Sequence, residues 1–290
     1  MLRSQKFVLP AKTELLGSNV IKKFDAQLPF LPKILSIAKA LPLQIHPGKD
    51  ISAELHAKDP KIFTYENHKP EIAIALGPFE DETIKDTQKG LQRLPRESFG
   101  EQAYILDILP RLQEQYSVED PGNLVALLTM SFLNFSAGDA ADAPHAYLSG
   151  GIVECMARSN SVLNTRFCPR ADRDNIELFA AALSFSPHNA KEVQLKSTIS
   201  GRGRNGKTVE YKPEMSEFNV LKTALGDGDI ETIESISGPS VLFLTSGSEK
   251  LIAEAESYEL KKGFVFFVGQ SVETMYEAEQ GLVVYRAYAE

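Results

Sequence analysis

Val241-Leu-Phe-Leu-Thr245, Tyr258-Glu-Leu260, Phe264 to Val268 and Leu282 to Tyr285 are short runs rich in branched and aromatic residues, separated by glycine-bearing turns. Several strands of this length at this spacing predict a sheet sandwich or a barrel for the C-terminal hundred residues. The change of character begins near Glu192, where Val193 and Leu195 alternate with polar neighbours. Upstream the pattern is mixed. Arg173 to Leu183 reads as a helix with Asp172 or Asp174 as N-cap. Asn123 to Asn134 reads as another, after the turn signal Asp120-Pro121-Gly122. Ile105, Leu109 and Leu112 recur at helical spacing over 101–116, with Pro110 breaking the run. Ile72 to Leu76 is a compact strand, Ile51 to Ala57 a short helix, and Leu43 and Ile45 alternate as in a strand. Lys33 to Ala40, held between Pro32 and Pro42, fits either a short helix or one buried strand. Residues 1–30 carry no clear pattern.

The chain has 290 residues, enough for about two domains of roughly 150 residues. Its formal charge of −8 argues against a nucleic-acid binder, which carries a basic face. Hydrophobic residues at 43% and charged residues at 24% are a globular balance. No apolar run reaches the ~18–20 residues of a membrane span, and the first twelve residues hold no signal-peptide core. Two cysteines, Cys155 and Cys168, exclude a disulfide framework and a four-thiolate zinc site, and they read as packed thiols in a reducing, cytoplasmic setting. Gly201-Arg-Gly-Arg-Asn-Gly-Lys-Thr208 spells a phosphate-binding loop, but Val209 to Pro213 after it reads as an extended segment. The helix whose N-terminus would face a phosphate is missing, so this is read as a basic loop. Asn134-Phe135-Ser136 is a glycosylation spelling without a secretory context, and Asp139 and Asp142 read as a solvated turn.

Three histidine clusters carry the chemistry. In Gln44-Ile45-His46-Pro47, residues two apart on a strand share a face, so an amide oxygen and an imidazole can address one metal. Asn67-His68-Lys69-Pro70-Glu71 opens an apolar strand with a carboxylate, and Pro144-His145-Ala146-Tyr147 supplies a further imidazole. Two His, one Glu and one Gln make a mixed nitrogen and oxygen set suited to zinc. Spacing alone leaves a scattered, packed set of histidines as the competing reading.

The same clusters carry a resemblance. Leu28 to Pro47 (LPFLPKILSIAKALPLQIHP), Asn67 to Glu80 (NHKPEIAIALGPFE) and Pro144 to Ser159 (PHAYLSGGIVECMARS) resemble the type I mannose-6-phosphate isomerases, particularly the fungal members. Gly238 to Gly247, Tyr258 to Gly269 and Leu282 to Tyr288 resemble that family's last domain. The resemblance implies a mainly β fold with a helical insertion: two cupin-type (jelly-roll) barrels plus a small helical domain. It divides the chain into a metal-binding cupin domain (1–85 and 135–172), a helical insertion (86–134, with the helix at 173–184 nearby) and a C-terminal cupin domain (190–290). It implies zinc held by Gln44, His46, Glu71 and His145. It also implies proton transfer between C1 and C2 of a sugar phosphate, with Lys69, Tyr147, Glu154 and Asn164 at catalytic positions and Lys49 and Arg170 toward the substrate. The expected setting is a cytoplasmic monomer without nucleic-acid or membrane partners, supplying mannose for GDP-mannose and glycosylation, or serving a specialised pathway.

The chain departs from the family pattern at defined places. An acidic residue of that pattern is Asn160, its arginine is Asn164, and its lysine is Arg170. A guanidinium gives bidentate bonds to phosphate and Asn does not. Pro42 replaces a Ser, and the stretch between Asp139 and Pro144 is short. These departures motivate a second reading, a cupin that retains metal or sugar binding without turnover.

Overall fold

The computed structural model describes residues 12–38, 41–77, 95–103, 106–107, 135–141, 147, 150–166, 176–182, 194–214 and 216–290. The described residues fall into two compact units: those of 33–154 and 159–195, and those of 1–32, 155–158 and 196–290. Both are mainly β, with few helices. His145, Arg170, Cys168 and the helix expected over 123–134 lie outside the described residues, as does most of 86–134.

A five-stranded sheet, most of whose residues belong to the first unit, runs β1 (Phe30–Ile37), β5 (Gly150–Ala157), β3 (Glu71–Ala75), β4 (Ala140–Ala141) and β7 (Gln194–Leu195), in that order. Of the stretch Lys33 to Ala40, Lys33 to Ile37 is strand, and residues 39–40 lie outside the described residues. β1 is an edge strand, the place in a sheet where a proline such as Pro32 is tolerated. Alternation then puts Lys33, Leu35 and Ile37 on one face. Leu35 and Ile37 pack with Ala73 of β3, Ile152 of β5 and Tyr147. β3 is buried along its length, as expected for a strand covered on both faces. A separate pair, β2 (Leu43–Ile45) and β6 (Leu163–Arg166), sets Ile45 opposite Leu163 and Gln44 opposite Asn164. Ile45 and Leu163 pack with Leu55 of the helix Lys49–Lys58, and with Leu178 and Phe179 of the helix Ile176–Ala182. Both helices fall where the sequence pattern puts them. Asp139 accepts from the Ser136 amide at 2.8 Å, closing the expected turn.

The second unit is a sandwich of a six-stranded and a four-stranded sheet. The larger runs β15 (Val265–Val268), β12 (Ser240–Ser246), β17 (Leu282–Tyr288), β10 (Asn219–Leu225), β9 (Thr208–Tyr211) and β8 (Thr198–Ile199). The smaller runs β11 (Ile230–Ile233), β16 (Thr274–Glu277), β13 (Ser248–Ala253) and β14 (Glu256–Lys261). Leu221, Leu242, Leu244, Val284 and Tyr288 from one sheet meet Ile233, Leu251, Leu260 and Tyr276 from the other. No sheet closes on itself among the described residues. Two short helices that the sequence pattern does not reveal, Lys12–Leu16 and Ser18–Phe24, belong to this unit. The sequence division groups 1–85 together, whereas residues 12–32 belong with 196–290. The contacts are specific: the Gln270 amide donates to Leu15 O at 2.9 Å, and Lys23 Nζ donates to Glu290 O at 2.8 Å. Gly17 joins the two helices at φ 82°, where a Cβ would also lie 2.4 Å from Ser237 O.

The phosphate-loop spelling is a turn between β8 and β9 that closes around a carboxylate of its own chain. Glu231, fully buried, accepts from the amides of Asn205 (2.8 Å), Lys207 (2.7 Å) and Thr232 (3.0 Å) and from Thr208 Oγ1 (3.3 Å). The loop's cations are also engaged: Arg202 with Glu290, Arg204 with Glu273, and Lys207 with Asp229. A Cβ on Gly203 would lie 2.8 Å from Glu231 Oε2 and 3.0 Å from Thr208 Cβ, whereas one on Gly201 meets nothing within 4 Å. Gly203→Ala is therefore expected to destabilise the protein by about 1–3 kcal/mol in urea denaturation, from overpacking, with Gly201→Ala near neutral.

Candidate active site

Glu71 opens β3 as the first residue of a buried strand. Alternation puts it on the face that also carries Ala73, and the same rule puts Glu154 of β5 with Ile152 and Lys33 of β1 with Leu35. One face of the sheet is thus apolar toward one end and carries two carboxylates and a lysine toward the other. The two carboxylates are almost fully buried, with side chains 2% and 5% exposed. Each has a cation. Lys69 Nζ donates to Glu71 Oε2 at 2.5 Å, and Lys33 Nζ pairs with Glu154 Oε1. Tyr147 OH donates to Glu71 Oε1 at 3.1 Å, and His46 Nε2 lies 3.8 Å from Glu71 Oε2. Burial above all, and then repulsion from Glu71, push the Glu154 carboxyl above the usual carboxylate range, against the pull of Lys33.

The segment that delivers Lys69 and Glu71 is tied down along its length. Ser159 Oγ donates to Asn67 O at 2.6 Å, Ser161 Oγ to Tyr65 O at 3.3 Å, and Asn160 Nδ2 to Ile62 O at 3.2 Å. Pro70 keeps Lys69 extended before the strand begins. Asn160, one of the departures from the family pattern, is exposed and serves this loop. Tyr147 is held by its carbonyl, which accepts from the Leu41 amide at 2.8 Å.

The structure therefore brings together Lys69, Glu71, Tyr147, His46 and Glu154 from the residues singled out in the sequence. Gln44 and Asn164 face each other across β2 and β6, on the side of that pair opposite the packed Ile45 and Leu163. Lys49 begins the helix Lys49–Lys58 and is exposed. His145 and Arg170 lie outside the described residues. Lys33 is the residue that sequence reasoning missed. The signal is present: on a strand, Lys33 shares the parity of Leu35 and Ile37, but the stretch reads equally well as a helix. Among the described residues no three His, Cys, Asp or Glu side chains cluster for a metal. The pair His46 and Glu71 is a mixed nitrogen and oxygen set of the kind zinc takes, and Gln44 stands two residues from His46.

A family model for type I phosphomannose isomerase, catalytic domain, matches residues 3–85. The mannose-6-phosphate isomerase of Schizosaccharomyces pombe is 30% identical over 345 residues, spanning 96% of this chain and 83% of the relative. The chain belongs to the type I mannose-6-phosphate isomerase family. The Saccharomyces cerevisiae mannose-6-phosphate isomerase is also 30% identical, over 352 residues, spanning 95% of this chain and 82% of that one. Both matched spans are longer than the 290 residues here, so these isomerases carry internal segments without counterpart in this chain. The fold is also that of the family. The apo form of mannose 6-phosphate isomerase from Salmonella typhimurium superposes with a TM-score of 0.69 at 23% identity, covering 97% of this chain and 84% of that one. A phosphomannose isomerase variant from the same organism gives 0.75 at 24% identity, covering 96% and 84%.

The buried ion pairs of this face set a stability expectation. In metal-free protein, Lys69→Met leaves Glu71 buried without its cation and is expected to cost about 3–5 kcal/mol in urea denaturation. Adding Glu71→Gln to that variant removes the stranded charge and should restore most of the loss. Lys33 is 34% exposed, so Lys33→Met is expected to cost less than Lys69→Met.

Proposed function

We propose that this chain is a mannose-6-phosphate isomerase that interconverts mannose 6-phosphate and fructose 6-phosphate, with its active site on the carboxylate-bearing sheet face. The observation that carries the reading is the convergence of His46, Lys69, Glu71, Tyr147 and Glu154 at one end of that face, in a chain of this family. The proposed metal ligands are Gln44, His46, Glu71 and His145, and the proposed metal is zinc. Two imidazoles, a carboxylate and an amide oxygen suit zinc, and His46 and Glu71 already turn polar atoms toward each other. When bound, the metal supplies Lewis-acid polarisation of sugar oxygens.

The chain's own residues position and move protons. Lys69 and Tyr147 each donate to one oxygen of Glu71, which fixes the plane of that carboxylate. The isomerisation needs a group that removes the proton from C2 of the aldose and returns it to C1, through an enediol. Lys69, Tyr147 and Glu154 are the proposed proton carriers, and Lys33 orients Glu154. Lys49 and Arg170 are proposed to meet the phosphate, with Asn164 offering a neutral carboxamide beside them. The proposal extends to two cupin barrels, with residues 86–134 as a helical insertion, in a monomeric, cytoplasmic enzyme supplying mannose 6-phosphate for GDP-mannose and glycosylation.

A coupled assay on purified, zinc-supplied protein is expected to show conversion of fructose 6-phosphate to mannose 6-phosphate, lost on chelation. His46→Ala and Glu71→Ala should lower kcat/KM by at least about 100-fold, beyond the range of outer-shell partners of a metal. Turnover no higher than that of His46→Ala would overturn the isomerase reading, and zinc retained in the same sample would then favour the binding-only cupin.

A further inference from the structure

Asn205-Gly206 is the one Asn-Gly pair in the sequence, and it lies in the loop that latches the C-terminal sandwich. β11 is an edge strand of the four-stranded sheet, with β16 as its neighbour on one side. The β8–β9 loop of the six-stranded sheet runs along its other side. The Glu234 amide donates to Arg202 O at 2.9 Å, the Arg204 amide to Thr232 O at 3.0 Å, and Asn205 Nδ2 to Ile230 O at 2.7 Å. An open strand edge is thereby satisfied from the opposite sheet. Glu231 of the same strand completes the grip. The amides of Asn205 and Lys207, one residue either side of Gly206, each take one of its oxygens, at 2.8 and 2.7 Å.

The pair that closes this latch is also its most reactive point. Asn205 and Gly206 are both exposed to water. Among the described residues the Asn205 side chain makes one hydrogen bond, through Nδ2. The Gly206 amide makes one, to Gly203 O at 3.5 Å, a length at which such a bond is weak. Gly206 has no Cβ, and nothing lies within 4 Å of where one would stand, so its nitrogen is not crowded. These are the conditions for deamidation. The Gly206 nitrogen gives its proton to water or hydroxide and bonds to Asn205 Cγ. The Cγ–Nδ2 bond breaks, and ammonia leaves. Water then opens the succinimide ring at either carbonyl, leaving aspartate or isoaspartate at 205. The net change is amide plus water to acid plus ammonia, with nothing oxidised or reduced.

Either product undoes the latch. Aspartate sets an acceptor against Ile230 O, where Nδ2 had donated, and brings a negative charge beside buried Glu231. Isoaspartate adds a main-chain carbon between the two amides that hold Glu231, so their spacing no longer matches one carboxylate. We propose that Asn205 is a site of spontaneous covalent modification, deamidation by water through a succinimide, that loosens the two sheets of the C-terminal unit from each other as the protein ages. The site is independent of the isomerase reading and of any metal.

The test is to incubate the whole folded protein in heavy-oxygen water over a range of pH and to locate the label by peptide mapping. The expected result is one heavy oxygen at residue 205, gained faster as pH rises and lost in Asn205→Gln, where a larger ring would have to close. The converted protein, separated from fresh protein by anion exchange, is expected to melt at least about 3 °C lower, as is Asn205→Asp, because a buried carboxylate loses a charge-assisted donor. Should Asn205→Asp fail to fold, the converted protein decides the matter. An amide retained at 205 in folded protein, over a period in which urea-unfolded protein converts, would overturn the site. Converted protein with the Tm of fresh protein would overturn the latch.

Discussion

Two carboxylates buried on one face of one sheet are the constraint around which the first unit is built. Glu71 and Glu154 repel each other, and burial already disfavours their charge, so each needs a cation within reach. Lys69 and Lys33 meet that need, one from the segment leading into β3 and the other from the edge strand β1. The rest of the unit holds these groups still. Tyr147 caps the second oxygen of Glu71, and the serines at 159 and 161 tether the loop that carries Lys69. The apolar half of the same face, with Ile37, Ala73 and Ile152, anchors the strands that aim the polar half.

The C-terminal unit handles buried charge differently. Glu231 is fully buried and is satisfied almost entirely by backbone amides of a glycine-rich loop. That loop has the spelling of a phosphate cradle, and its amides do hold an anion, but the anion is a side chain of the same protein. Arg286 is the opposite case, a cation between the sheets with hydroxyl partners only. The two groups are separate solutions to one geometric problem, that of fixing the sandwich without relying on apolar contact alone.

The family match places this chain among proteins with longer matched spans, so some internal segments of those isomerases have no counterpart here. The polar cluster is kept in the described residues. The changes fall beside it: Asn160 has become a tether for the loop after Ile62, and Asn164 faces Gln44 across a two-stranded pair. A loop can absorb the first change without disturbing Glu71. The second lies on a strand whose other face is packed, so its side chain has a fixed direction and its chemistry bears directly on that side of the pair.

Local pattern was sufficient for the C-terminal strands, for the helix over Lys49–Lys58 and for the strand that opens at Glu71, because alternation and helical spacing are written in consecutive residues. It was also sufficient to reject the phosphate loop, since the next segment of the chain is a strand. It did not reveal the helices over 12–24, which are tied by hydrogen bonds to residues more than 200 positions away, Gln270 and Glu290. Nor did it choose between helix and strand for Lys33 to Ile37, where prolines at both ends suit either. Sequence thus determined which residue types were available for chemistry and the family to which the chain belongs. Only tertiary structure decided that Lys33 meets Glu154, that Glu154 meets Glu71, and that Arg286 crosses between sheets. Those pairings join residues far apart in the chain, and their energies depend on burial, which no local pattern encodes.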